Sequence, residues 1–490
     1  MGCRNRETLN SRLKTAAVAF SLAATLSAAD AGNTSPLVDA VKKGDVSLVH
    51  ALVAGGASVN AAQADGSTPL HWAAHRDHLG AADALLNAGA NPNATNDLGV
   101  TPLWLACENG SAAVVTRLLE GGARSDGVDT RRRPLMMCAR TGSVEAVTAL
   151  VTRKADVNAR EPLRDQTALM WAVAQRHTDI VGVLLAHGAD VSARSRFSRV
   201  VVNRANPNDI YHAVVGPVSL GGSTPLLFAA RAGEVASARL LLRAGANAND
   251  LLADGTSALT VAAHSDQLAM VRLLLESGAN PNIIGSGYTA LHAAVLRGNL
   301  EMVRALVARG ANIEARLRHG TPTLRGSHDY FLPDSLTGAT PLWLAAKFVE
   351  LDILRTLLDG GADPSSTLRD GTTSLMAAAG VGAQTRLFDR RDRAALLRDS
   401  DEPQARSVVE QLLARRVDVK AANQAGDTAL HGAATMSYPS LARILVERGA
   451  RLEARNKKGE TPLAVATSDP VREVLRQLEA TAVGDPLLGR

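Results

Sequence analysis

The chain has 490 residues, 46% apolar but only 3% aromatic, with three cysteines and a formal charge of +5. Three cysteines make no disulfide framework, and so few aromatics require an interior built from Ala, Leu and Val. The basic excess is slight: four of the 53 basic and two of the 48 acidic residues fall in the first 31 positions, leaving +3. No nucleic-acid partner is expected from so small a surplus.

Residues 1–31 read as an export leader. Basic residues up to Lys14 precede an apolar run from Ala16 to Leu26, and Ala29-Asp30-Ala31 offers a small-residue cleavage site. The run is too short to span a bilayer, and no later run approaches that length. Cys3 precedes the apolar run, where a lipoprotein cysteine would follow it, and Arg6 stands where a myristoylation signal wants Ser or Thr. The expected location is periplasmic or secreted. Cys107 and Cys138 each replace an Ala in a helix interior and read as small buried hydrophobes, one possible pair.

From Ser35 onward the chain repeats. Thr68 to Val100 is followed at Thr101 by the same pattern, a period of 33 residues. Thr-Pro opens a first helix, because Thr caps well and Pro at the first helical position loses no hydrogen bond. Gly-Ala, as in Gly89-Ala90, closes a second helix, and a polar, turn-rich finger such as Asn93 to Gly99 follows. Leu and Ala at helical spacing give each unit an apolar face that it cannot bury alone. Twelve units are expected, opening near Ser35, Thr68, Thr101, Arg133, Thr167, Thr224, Ser257, Thr289, Thr340, Thr373, Thr428 and Thr461. The first has the polar face of a cap, and the last degenerates as a C-terminal cap should.

T-P-L-H-x-A-A, a second helix and then G-A-[DN]-x-N resemble the ankyrin repeat, and chiefly the exported bacterial proteins built from it. His71, His292 and His431 hold the family's His position, which braces the helix start, and Trp104 and Trp343 replace it elsewhere. The resemblance implies an all-α repeat solenoid with short β-hairpin fingers over residues 35–482, ending in a tail at 483–490. With helix pairs about 10 Å apart, its length would be on the order of 100 Å. It also implies a concave groove lined by the residues that end each first helix. Here these are His75 and Arg76, Glu108 and Asn109, Arg140 and Thr141, Arg231, His264, Arg297, and Lys347 with Phe348. The set leans basic, which suits an acidic protein segment, although cations also suit a helix C-terminus.

Three units depart from the period. Those at Thr167, Thr289 and Thr373 carry excesses of 24, 18 and 22 residues, placed near 196–222, 316–338 and 383–402. The first two lengthen fingers, and the third splits the two helices of its unit. Phe197, Tyr211, Tyr330, Phe331 and Phe388 lie in these insertions, either pinning their own loops or contacting a partner; the first four are carried as candidate binding residues.

No phosphate loop, nucleophile elbow, H-E-x-x-H or C-x-x-C pair occurs, and neither a catalytic site nor a cofactor is expected. His71, His75 and His78 tempt as metal ligands at i, i+4 and i+7, but His71 is the repeat's own histidine and His78 opens the second helix. The expectation is a monomeric, non-catalytic scaffold that binds a protein partner through groove and fingers. An effector acting in a host cell, or an accessory subunit of a periplasmic enzyme, would use the same surface.

Overall fold

Each of the twelve unit starts is a helix N-cap in the computed structural model, from Ser35 to Thr461. The structure describes residues 35–203, 215–320, 332, 334–382 and 402–484. These form two compact units, Met1–Glu161 and Pro162–Arg490.

The first unit holds four helix pairs: α1 (Pro36–Lys43) and α2 (Val46–Ala54), α3 (Pro69–His75) and α4 (Leu79–Asn87), α5 (Pro102–Glu108) and α6 (Ala112–Glu120), α7 (Pro134–Thr141) and α8 (Val144–Thr152). The second opens with α9 (Ala168–Ala174) and α10 (Thr178–Ala186), strands β1 (Phe197–Asn203) and β2 (Val215–Gly221), then α11 (Pro225–Ala232) and α12 (Val235–Arg243). There follow α13 (Ala258–His264), α14 (Leu268–Glu276), α15 (Ala290–Arg297), α16 (Leu300–Ala308), α17 (Pro341–Lys347) and α18 (Leu351–Asp359). It closes with α19 (Ser374–Ala379), α20 (Glu402–Ala414), α21 (Ala429–Thr435), α22 (Pro439–Glu447), α23 (Pro462–Val465) and α24 (Asp469–Gly484). The described residues therefore hold 24 α-helices, two for each repeat.

Caps and turns explain why the pattern folds this way. Thr101, Thr340 and Thr373 accept the amides of Trp104, Trp343 and Met376 at 3.1–3.2 Å, satisfying donors that the first helical turn leaves open. Nine residues after eleven of the twelve caps, all but Thr461, the chain turns in the left-handed region. Gly holds that position at Gly44, Gly110, Gly142, Gly233 and Gly298, whereas Val349 holds it at φ 56° with a β-branched side chain. Within each compact unit, first helices stack on first helices and second helices on second helices. The first helices are buried almost all round, as in α13, where all seven residues are buried. Ala262 and Ala263, without bulk, let the neighbouring helices come close. The second helices bury one face only: α12 buries Ser237, Ala238 and Leu241 and leaves its cations outside.

The two cysteines are buried as expected, and the possible pair is formed. Cys107 in α5 and Cys138 in α7 are fully buried, and they are bonded to each other with Cα atoms 4.6 Å apart. They sit one register step apart on helices that pack together, which brings two ordinary Ala positions within disulfide reach.

The fingers are mostly turns tied to their neighbours. Asn280 and Asn312 donate their amides to Asn249 and Asn282 side chains at 2.6 Å, one repeat back. The first long finger is different. Its strands pair antiparallel from Phe197↔Gly221 to Asn203↔Val215 and form a two-stranded sheet. The insertion near 383–402 lies outside the described residues except for Glu402, which begins α20; helix α24 runs to Gly484, into the expected tail.

Candidate protein-binding surface

The histidines of the repeat motif are structural. In His71, Nδ1 accepts the Thr68 amide at 3.1 Å, which leaves the ring proton on Nε2 to donate to the Val100 carbonyl at 3.0 Å. His292 and His431 repeat both bonds, to Ala339 and Glu460. Trp343 substitutes faithfully, its Nε1 donating to Thr372 carbonyl at 3.0 Å across the same 29 positions as His71. Burial lowers the pKa of His71 and pushes that of His292 down to about 4, against the weaker support of backbone carbonyls. These rings are neutral braces that join one repeat to the next. No group of three His, Cys, Asp or Glu able to hold a metal ion occurs among the described residues.

The residues ending the first helices divide into those that face solvent and those that are committed. In the first unit Arg76, Glu108, Asn109, Arg140 and Thr141 are exposed, and His75 is half-buried against the edge of Trp72, with ring centroids 5.9 Å apart. Burial, with a smaller contribution from Arg76, holds the His75 pKa below the usual imidazole range. Burial raises the Glu108 carboxyl, against Arg140 and Arg132, which lower it. Asn109 is committed: its amide donates to the Ala74 and His75 carbonyls at 3.0 and 2.6 Å, closing the end of α3. Thr141 does the same for Cys107 carbonyl at 2.9 Å.

In the second unit Arg231 is exposed, while Lys347 and Phe348 are half-buried. His264 offers little surface: it is 9% exposed and packs by the Tyr288 ring at 6.1 Å. Arg297 reaches back to close α13, its Nε donating to His264 carbonyl at 2.6 Å. Of the insertion aromatics, Phe197 stands 50% exposed at the start of β1, whereas Tyr211, Tyr330 and Phe331 lie outside the described residues.

The base of the long finger is held by arginines. Arg194 donates to the Gly222 and Leu251 carbonyls at 2.8 Å and pairs with Asp250, and Arg196 pairs with Asp165 at 3.1 Å. Arg316 has the same place in the second insertion, donating to Gly338 and Thr367 carbonyls at 3.2 and 3.0 Å. A shared A-R-x-R at 193–196 and 315–318 marks both stems. Sequence reasoning also passed over one position of the first helix. Trp72, Trp171 and Phe228 stand three or four residues before the helix-end pairs, and Lys42 Nζ lies 4.0 Å over the Trp72 ring. A bulky residue just before Ala73, Ala172 or Ala229 is the signal that could have found them.

Stacked helix pairs, histidine braces and projecting fingers define a repeat solenoid of the kind that serves as an interaction scaffold. The chain belongs to the ankyrin-repeat family. The family model for ankyrin repeats in three copies matches residues 19–96, 37–129, 78–161, 124–195, 200–285, 226–317 and 400–481, and the single ankyrin repeat matches 337–367. Among curated proteins it is similar to the B-cell lymphoma 3 protein homolog of Mus musculus, 30% identical over 38% of this chain and 42% of that protein. It is also similar to the neurogenic locus notch homolog protein 1 of Xenopus tropicalis, 34% identical over 26% of this chain and 6% of that one. Thus the chain spans less than half the length of these relatives. The crystal structure of the human ASB11 ankyrin repeat domain is 30% identical, covers 51% of this chain and all of its own, and has a TM-score of 0.42. No helix among the described residues is long and apolar enough to cross a membrane.

Proposed function

We propose that the chain is a non-catalytic scaffold that carries a protein partner on the surface formed by its first-helix ends and long fingers, after export from the cell. The observation that carries this reading is the contrast along first helices such as α11 and α17. Side chains within α11 and α17 are mostly buried, yet the helices end on Arg231 and on Lys347 with Phe348, which reach solvent. Such a rigid surface loses little ordering entropy on binding, so a few contacts suffice. Phe197, half-exposed on a braced stem, adds the kind of aromatic anchor that binding surfaces favour. The basic lean of the surface suits an acidic partner.

Export is supported by the leader-like residues 1–31 and by the buried Cys107–Cys138 bond, since such bonds persist in oxidising compartments. Fusing residues 1–31 to a reporter enzyme active only outside the cytoplasm tests that half. For binding, deletion of residues 196–222 should leave the helical circular dichroism intact and abolish capture of the partner from extracts of the native organism. Unchanged capture would refute the finger as a binding element.

A further inference from the structure

A cleft of about 750 Å³ crosses three consecutive fingers of the second unit, touching residues 282–284, 312–318 with 337–338, and 367–369. That volume is in the range of ligand sites. Its floor includes Leu317 and Leu368, both buried, and its rim carries three arginines, Arg316, Arg318 and Arg369. Arg316 is committed to the carbonyls of Gly338 and Thr367. Arg318 and Arg369 are exposed, and among the described residues neither guanidinium makes a hydrogen bond or ion pair. The acids nearby are already engaged: Glu314 accepts the Asp363 amide at 2.8 Å, and Asp363 accepts from Ser365.

Two uncommitted guanidinium groups beside an apolar floor are free to meet carboxylates, because each presents a planar fork of donors matched to a carboxylate. We propose that this cleft binds a short acidic segment of a protein partner, Arg318 and Arg369 each taking a carboxylate while an apolar side chain rests on Leu317 and Leu368. The inference rests on the protein-binding reading and assigns the chemistry of the partner. A nucleic acid fits less well, since among the described residues no aromatic ring lines the cleft for base stacking and Glu314 shares the wall.

Fluorescence anisotropy of fluorescein-labelled octaglutamate against the full chain tests this. Arg318→Ala/Arg369→Ala should weaken binding at least about tenfold, as the loss of two charge-assisted contacts implies. The charge-matched control Arg239→Ala/Arg443→Ala, exposed on second helices, should change it less than about twofold. Arg318→Lys/Arg369→Lys should recover part of the affinity, and circular dichroism should be the same for all variants. Equal weakening in both Ala pairs, no octaglutamate binding, or stronger binding of a single-stranded oligonucleotide would each overturn the proposal. Where octaglutamate fails but the partner is still captured, and lost on deleting residues 196–222, only the cleft assignment falls.

Discussion

Lowering the pH should weaken the stack through His292. The ring is fully buried, accepts the Thr289 amide on Nδ1 and donates from Nε2 to Ala339, so it is neutral in the fold. Its pKa is pushed down to about 4 from the ordinary imidazole value of 6.5. The unfolded chain therefore binds more protons than the folded one between these values, and stability falls as the pH drops through that window. A shift of this size amounts to about 3 kcal/mol when complete, of which about 2 kcal/mol is lost between pH 8 and pH 5. His292→Gln cannot titrate. Urea unfolding followed by circular dichroism at pH 8 and pH 5 should show the wild type losing about 2 kcal/mol more than the variant. His71 is lowered in the same direction but is present in both chains, so it cancels. Equal losses in the two proteins would refute the assignment of a neutral, buried brace.

The disulfide and the helix turn give two further tests. Cys107 and Cys138 are 31 positions apart, so Cys138→Ala should cost about 3–4 kcal/mol by loop entropy, read as a lower urea midpoint for the wild type with reductant and for the variant without it. Val349→Gly should raise stability by about 1 kcal/mol, because a β-branched side chain in the left-handed region is strained where Gly44 and Gly298 are not; a lower midpoint would contradict that view.

The repeat was legible because its markers are local. A Thr cap, a left-handed turn nine residues later and a closing Gly are each fixed by backbone chemistry within one unit. The same reasoning placed the first long finger, whose strands span 197–221. What it lacked was the relation between units. Cys107 and Cys138 look like separate Ala substitutions until α5 and α7 are stacked, and nothing in the period signals that their sulfurs meet. His264 illustrates the same limit: its place at a helix end suggests solvent, yet Tyr288 from the next repeat covers it. Asn109 and Arg297 read as surface residues for the same reason, since the carbonyls they close belong to the preceding repeat.

The histidine brace also bears on how such a chain can diversify. In His71 and His431 the Nε2 bond spans 29 positions, and in His292 it spans 47 to reach the equivalent carbonyl. The added residues leave and return on either side of an unchanged bond. Lengthening a loop from 29 to 47 residues costs only about 0.4 kcal/mol of closure entropy. A finger can therefore gain, lose or rewrite its sequence across generations while the helices beneath it keep their register, so novelty in recognition need not be traded against the ability to fold.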